Sequence, residues 1–104
     1  MITFEAILKD VKKKGFNAEK LIETFKKFRA ELLDDKKPFL VKMTRLTYEH
    51  IERNGAFVAD IWEERSEEDD TSFEYYLTLL CDPGNKYNRE ELDEYTELFK
   101  EEED

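Results

Sequence analysis

Apolar positions recur at helical spacing over the first third of the chain. Two stripes follow the i, i+3, i+4, i+7 pattern of amphipathic helices. They consist of Phe4, Ile7, Leu8 and Val11, and of Leu21, Ile22, Phe25, Phe28 and Leu32. Thr3 can cap the first helix and Gly15 can end it, while Asn17 can cap the second, which ends near residues 34–35. The pattern predicts two helices whose stripes face the core.

A third helical stripe lies near the C-terminus. It consists of Leu92, Tyr95, Leu98 and Phe99 in a helix that is expected to start at about Arg89. Asn88 is predicted to cap this helix, with Glu91 three residues later as in a capping box. Residues 82–85, Asp-Pro-Gly-Asn, have the composition of a turn.

The middle of the chain, residues 39–81, has an ambiguous period. We favour three antiparallel strands there. The dipeptide Asn54-Gly55 is the strongest two-residue hairpin signal. Residues 39–51 and 71–79 are also dense in the Thr, Tyr, Phe and Ile that strands prefer. Pairing across the turn collects apolar residues on one face and polar residues on the other, as in a sheet covered by helices.

The predicted fold is therefore α+β: two N-terminal helices, a three-stranded antiparallel meander and a C-terminal helix. The alternative is an all-α bundle of about six short helices. In that alternative Pro38 lies in a first turn, Gly55 at a helix end and Ser72 at a cap, and Phe57, Val58, Ile61 and Trp62 share one helical face.

Composition indicates one small folded domain, residues 1–104. Hydrophobic residues make up 39% and charged residues 42%, but eight Phe, five Tyr and one Trp can still build an aromatic core. The single cysteine excludes an internal disulfide and suits a reducing compartment. The start of the chain has no signal-peptide pattern, and no apolar run is long enough for a bilayer. We expect a soluble, cytoplasmic protein without membrane contact.

Charge is unevenly distributed along the chain. Residues 1–55 carry 13 Lys or Arg against 9 Asp or Glu, a net +4, whereas residues 56–104 carry 4 against 18, a net −14. The acidic residues concentrate in residues 63–70, EERSEEDD, and in residues 101–104. Such blocks are most often solvated loops, but they also suit a surface that binds a basic partner.

The sequence offers little chemistry. Read as a calcium loop from Leu80 to Glu91, the segment has an apolar residue, Leu80, in place of the first ligand and its glycine one place early, so we expect no metal site and no cofactor. His50 and Cys81 lack a recognisable third catalytic group, so we expect no enzymatic activity. The net charge of −10 also makes nucleic-acid binding improbable, although the lysines of the first two helices can form a local basic patch.

The strand register leaves one aromatic group to explain. It places Val58, Trp62, Tyr76 and Leu80 on the face away from the helices, unless the register is wrong and they are core. Aromatic anchors with an acidic rim resemble a protein interface. The predicted partner-binding residues are Trp62, Glu63, Glu64, Glu67, Glu68, Asp69, Asp70, Glu74 and Tyr76.

The sequence therefore favours a small protein-binding module of an inhibitor or immunity type. It would occupy a basic surface of a partner protein, for example by imitating the charge of nucleic acid. The alternative is an assembly subunit in which the basic N-terminal half of one copy meets the acidic C-terminal half of the next. The pattern leaves the oligomeric state open.

Overall fold

A computed structural model describes residues 2–62, 65–66 and 69–103. In this part of the chain all regular structure is helical and no strand occurs. The helices are α1 (Phe4–Lys14), α2 (Ala18–Asp34), α3 (Pro38–Asn54), α4 (Ser72–Cys81) and α5 (Lys86–Glu103). None of the helices described combines the length and the hydropathy that a bilayer crossing requires.

The first two helices agree with their sequence signals. The Thr3 hydroxyl accepts a hydrogen bond from the Ala6 N–H at 3.1 Å, and Gly15 ends α1 with a φ of 86°. The Asn17 side chain accepts from the Lys20 N–H at 3.1 Å. These side chains satisfy backbone donors that the first turn of a helix leaves free. Both predicted stripes are largely buried, so this part of the prediction is confirmed.

The predicted α+β fold is wrong. Two of the three expected strands are the helices α3 and α4, and residues 55–62 between them form an irregular segment. Gly55 has a φ of 72°, and its N–H donates to the carbonyl of Ile51 at 2.8 Å, which ends α3. A left-handed glycine serves a helix end as well as a hairpin. The Asn54-Gly55 pair therefore ends a helix and does not form the predicted hairpin turn.

Helical packing also overrides the β-propensity of α3. Its buried residues recur every three or four positions: Met43, Thr44, Leu46, Thr47, His50 and Ile51. The hydroxyls of Thr44 and Thr47 donate to the carbonyls of Leu40 and Met43, each at 2.6 Å. Threonine hydroxyls bonded within their own helix need no partner elsewhere, so their burial costs little.

The all-helical alternative is closer to the structure, with five helices in the described residues instead of about six. Pro38 does start α3, but Thr71 rather than Ser72 caps α4, in a capping box with Glu74. The helix proposed around Phe57 does not form. Asn85 accepts hydrogen bonds from the first turn of α5, three residues before the cap expected at position 88.

An aromatic cluster joins the helices. Helix α2 packs along α3, α1 packs against α4, and α5 contacts both α3 and α4. The ring of Phe57, from the irregular segment, lies 5.0 Å from Phe73 and 5.1 Å from Tyr76 between ring centroids. Tyr76 itself is fully buried, with its hydroxyl 2.6 Å from that of Thr47. The irregular segment is thus anchored in the core by its own aromatic side chain.

The turn between α2 and α3 contains a strained residue. Lys36 has a φ of 57°, the left-handed region that favours glycine. The Lys36 N–H donates to the carbonyl of Leu33, and the Lys37 N–H donates to that of Leu32. This pair of bonds is the Schellman motif, in which glycine commonly occupies the position of Lys36.

We predict opposite effects for two substitutions at these left-handed positions. Lys36→Gly relieves the strain and is expected to stabilise the fold by about 1 kcal/mol. Gly55→Ala introduces the same strain and is expected to destabilise it by about 1 kcal/mol. A Cβ at Gly55 would meet no atom within 4 Å, so the effect is conformational rather than steric. Urea unfolding of the two variants measures both; a loss of stability in Lys36→Gly would contradict the strain argument.

Candidate functional site

The irregular segment after α3 carries two exposed apolar side chains to the surface. Val58 is 59% exposed and Trp62 is 40% exposed, while Phe57 between α3 and Val58 points into the core. The Val58 N–H donates to Nε2 of His50 at 3.0 Å. The segment is therefore fixed at its start by a core ring and a backbone hydrogen bond.

His50 connects this segment to two helices. Because Nε2 accepts from Val58, the ring proton is on Nδ1, which donates to Glu102 at 2.8 Å. Arg53 also donates to Glu102, at 3.1 Å. Burial raises the pKa of Glu102, but the hydrogen bonds from His50 and Arg53 outweigh it and hold the pKa below its ordinary value. The fully buried imidazole thus ties α3, the segment and the end of α5 together.

Arg65 organises the chain after Trp62. Its Nε and one terminal nitrogen donate to the two carboxylate oxygens of Asp60 at 3.0 and 2.9 Å. Its other terminal nitrogen donates to the carbonyl of Asp70 at 2.7 Å. The guanidinium carbon lies 4.2 Å from the centroid of the Trp62 ring. A bidentate pair of this kind fixes geometry as well as charge.

Trp62 is supported from α4 as well. Its ring centroid lies 4.7 Å from that of Tyr75 in the first turns of α4. The Tyr75 hydroxyl donates a short hydrogen bond to the carboxylate of Glu91 on α5. Burial, followed by the hydrogen bond to Glu91, raises the pKa of Tyr75, so the hydroxyl keeps the proton that it donates. Trp62 therefore lies on a platform whose other members are held by α4 and α5.

We call this region the Trp62 surface. Its described members are Val58, Asp60, Trp62, Arg65, Asp69, Asp70, Tyr75 and Glu91. A shallow depression of about 330 Å³ adjoins it, lined by Val58, Ala59, Asp60, Leu98, Glu101 and Glu102. Arg65 is the one cation among these residues, and its charge is offset by Asp60. The surface is therefore an aromatic and aliphatic centre with an acidic surround.

Three of the predicted partner-binding residues lie on this surface. They are Trp62, Asp69, whose carboxylate accepts from Ser66 at 3.1 Å, and Asp70, which lies 3.9 Å from Lys12. Glu74 is partly exposed and caps α4. Four others lie outside the described residues: Glu63, Glu64, Glu67 and Glu68.

Tyr76 is not at the surface where the strand register placed it. It is fully buried, and Leu80 one turn later is 1% exposed. Residues four positions apart share one face in a helix and also in a strand. The predicted strand turned that face to solvent, whereas α4 turns it to the core. The core interpretation is therefore correct for these two residues, and of the two aromatic residues predicted to bind a partner only Trp62 is exposed.

The sequence reasoning missed Arg65 and its partner Asp60. The composition of residues 63–70 indicates an acidic block, yet Arg65 within it is the only cation between Arg53 and Lys86. A lone cation among acidic residues is a signal for a structural ion pair. Glu91 was assigned to a helix cap, while the structure has it bonded to Tyr75.

His50 and Cys81 have structural roles. Both ring nitrogens of His50 are within hydrogen-bond distance of Val58 and Glu102. Burial raises the pKa of the Cys81 thiol to about 11, which disfavours the reactive thiolate. Over residues 2–62, 65–66 and 69–103 no group of three or more His, Cys, Asp or Glu side chains is placed to hold a metal ion.

Comparison with models of protein families, with curated proteins and with solved structures gave no significant match. The function is therefore argued from the residues themselves.

We predict that Arg65 holds Trp62 in place. Arg65→Met removes the three hydrogen bonds and the stacked guanidinium, so Trp62 is expected to gain motion and water contact. Since Trp62 is the only tryptophan, its fluorescence reports on this site alone. We expect a red-shifted emission and lower anisotropy. Arg45→Met, which removes an ion pair with Glu49 on α3, is the matched control and is expected to leave both unchanged.

The Asp60 carboxylate gives the site a defined acid dependence. The hydrogen bonds from Arg65 outweigh burial and hold the pKa of Asp60 below its ordinary value of 3.8. A carboxyl group with a lowered folded-state pKa stabilises the fold above its ordinary pKa and loses this effect as pH falls through the lowered value. We expect the Trp62 emission to shift red in that range below pH 3.8. In Asp60→Asn the shifted emission is expected at neutral pH already; a wild-type transition retained in Asp60→Asn would assign it to other groups.

Proposed function

We propose that this protein binds a partner protein through the Trp62 surface, and that the partner presents a basic groove or patch. The main observation in support of this proposal is that Trp62 is held in a fixed position. It stays 40% exposed although Arg65 and Tyr75 hold it from two sides. A large apolar side chain that is ordered yet left in water is typical of a binding anchor.

The residues around the anchor have the composition of interface hot spots. Tryptophan, tyrosine and arginine are enriched at the centres of protein interfaces, and the rims of interfaces are polar. Here the centre is formed by Trp62, Arg65 and Tyr75. The surrounding carboxylates of Asp69, Asp70 and Glu91 supply the rim.

Preorganisation supports binding over a purely structural role. Holding Trp62 in one orientation before contact avoids the loss of side-chain freedom that association otherwise causes. The ion pair between Asp60 and Arg65 is part of the surface but makes its contacts within the chain, with the Arg65 side chain only 13% exposed. A partner therefore meets a formed platform.

The charge of this half of the chain indicates that the partner's binding surface is positively charged. Residues 56–104 have a net charge of −14, and α5 adds exposed acids such as Glu90, Glu94 and Glu97 to those of the irregular segment. Such a field accelerates encounter with a basic surface and repels acidic ones. A protein whose natural ligand is a nucleic acid presents such a groove, so an inhibitor or immunity-type role is the specific form of the proposal.

The test compares the acidic segment with an equal charge change elsewhere. One variant carries Glu67→Gln, Glu68→Gln, Asp69→Asn and Asp70→Asn. The control carries Glu90→Gln, Asp93→Asn, Glu94→Gln and Glu97→Gln on the exposed side of α5. Both variants lose four negative charges, so a difference between their association rates depends on where the charges lie and not on the net charge. The partner is one retained by the immobilised wild type and eluted by salt.

We expect association with this partner to slow about tenfold in the first variant and much less in the control. The salt dependence of the rate is expected to flatten in parallel. Trp62→Ala is expected to accelerate dissociation at a nearly unchanged association rate, because it removes the desolvated anchor and leaves the charges. If the two four-residue variants slowed association equally, the effect would come from the overall charge of the protein and not from the acidic segment. That result would contradict the proposal.

A further inference from the structure

A second surface, at the turn between α2 and α3, has the opposite character. Leu33 is 51% exposed there and forms an apolar floor with Pro38 and Val41. The groove has a volume of about 490 Å³. We call it the basic groove; it is lined by Leu33, Lys36, Lys37, Pro38, Val41, Lys42 and Arg45. Its lining contains four cations and no acidic residue.

Most of these cations are available to a ligand. Arg45 pairs with Glu49 at 2.8 Å. Lys36, Lys37 and Lys42 form no ion pair with any described residue, although the chain has ten more acids than bases. The lining of the groove is thus positively charged in a chain that is acidic overall.

Lys36 adds an independent observation. Its φ of 57° is a conformation that glycine adopts without strain. The fold at this turn would therefore be better served by glycine, and what the lysine adds is a positive charge at the mouth of the groove. Strain retained at an exposed charged residue suggests a role in binding.

The complement of the basic groove is present on the same chain. The groove has an apolar floor with a cationic rim, and the Trp62 surface has an apolar centre with an acidic rim. Of the large hydrophobic side chains that are exposed, Leu33 belongs to the groove, while Val58 and Trp62 belong to the Trp62 surface. We propose that the basic groove of one copy binds the Trp62 surface of a second copy, head to tail.

One molecule cannot bring its own two surfaces together. Helix α4 starts beside the Trp62 surface, where Tyr75 supports the Trp62 ring. The turn after its other end, at Pro83 and Gly84, lines a cavity together with Lys36 and Lys37. The ten residues of α4 span about 15 Å between the two regions. The contact is therefore intermolecular, and a head-to-tail pair retains one free groove and one free Trp62 surface.

This inference goes beyond the proposed function while using one of its surfaces. A second copy and a foreign basic partner would cover the same Trp62 surface, so they compete. Self-association would keep the anchor covered until a partner of higher affinity displaces the groove. The two proposals are separable because only self-association needs the basic groove.

The experiment measures molar mass by sedimentation velocity over a range of protein concentrations, at low and at high salt. At low salt the mean mass is expected to rise above the 12.5 kDa of one chain as concentration increases. At high salt it is expected to return to that value, because screening weakens the charge pairing. A mass of one chain at every concentration and salt would overturn the proposal.

Neutralising variants locate the contact. The groove variant carries Lys37→Gln and Lys42→Gln, and the surface variant carries Asp69→Asn and Asp70→Asn, two exposed members of the Trp62 surface. Each alone is expected to weaken association at least tenfold. The control variant carries Lys9→Gln and Lys13→Gln, two exposed lysines of α1, and removes the same charge as the groove variant. It is expected to associate like the wild type; association that persists in the groove variant would overturn the proposal.

Mixing the two variants tests the head-to-tail geometry. The groove variant retains an intact Trp62 surface and the surface variant retains an intact groove, so an equimolar mixture is expected to form dimers and no larger species. A mixture that stays monomeric while the wild type associates would overturn the head-to-tail arrangement. The groove variant is expected to bind the foreign partner normally. Loss of self-association in the groove variant and loss of partner binding in the acidic-segment variant are thus separate results.

Discussion

The arrangement of the surface depends on the buried imidazole of His50. This one side chain accepts from the backbone of Val58 and donates to Glu102, so it joins the end of α3, the irregular segment and the last turns of α5. The Phe57 ring, the buried Ala59 and the contact of Trp62 with Tyr75 also hold the segment against the helices, but only His50 bonds its backbone to both α3 and α5. A polar group with no exposed surface is tolerated here because both of its nitrogens are bonded. Its position decides where the following residues, including Trp62, can lie.

The sequence predicted the terminal helices well and the middle of the chain poorly, for a physical reason. Thr3, Gly15 and Asn17 each have one dominant structural use, and the structure agrees with all three. Gly55 has two uses, because a left-handed residue ends a helix or turns a hairpin equally well. The threonines of α3 suggested a strand, but they are bonded within their own helix. Where a local sequence signal is compatible with both a helix and a strand, tertiary packing decides between them. The spacing of apolar residues along the chain carries no information on that packing.

The candidate site was predictable in part. Trp62 with its acidic neighbours was recognised from composition, whereas Tyr76 was misplaced because strand and helix periods assign it to different faces. Arg65 was overlooked since its role depends on contacts with Asp60 and Asp70 that only the folded chain shows. The charge difference between the two halves of the chain was visible in the sequence. The sequence did not show that this charge difference produces two separate surfaces near the two ends of α4.

The clamp formed by Arg65 has a consequence for how this surface can change over time. By joining the side chain of Asp60 to the backbone of Asp70, it closes the base of the connection between α3 and α4. The capping box of Thr71 and Glu74 then starts α4 independently of what precedes it. Positions between the clamped ends other than Arg65 can therefore be substituted with little effect on the helices. The exposed residues of this connection can therefore change during evolution while the scaffold that presents Trp62 stays the same.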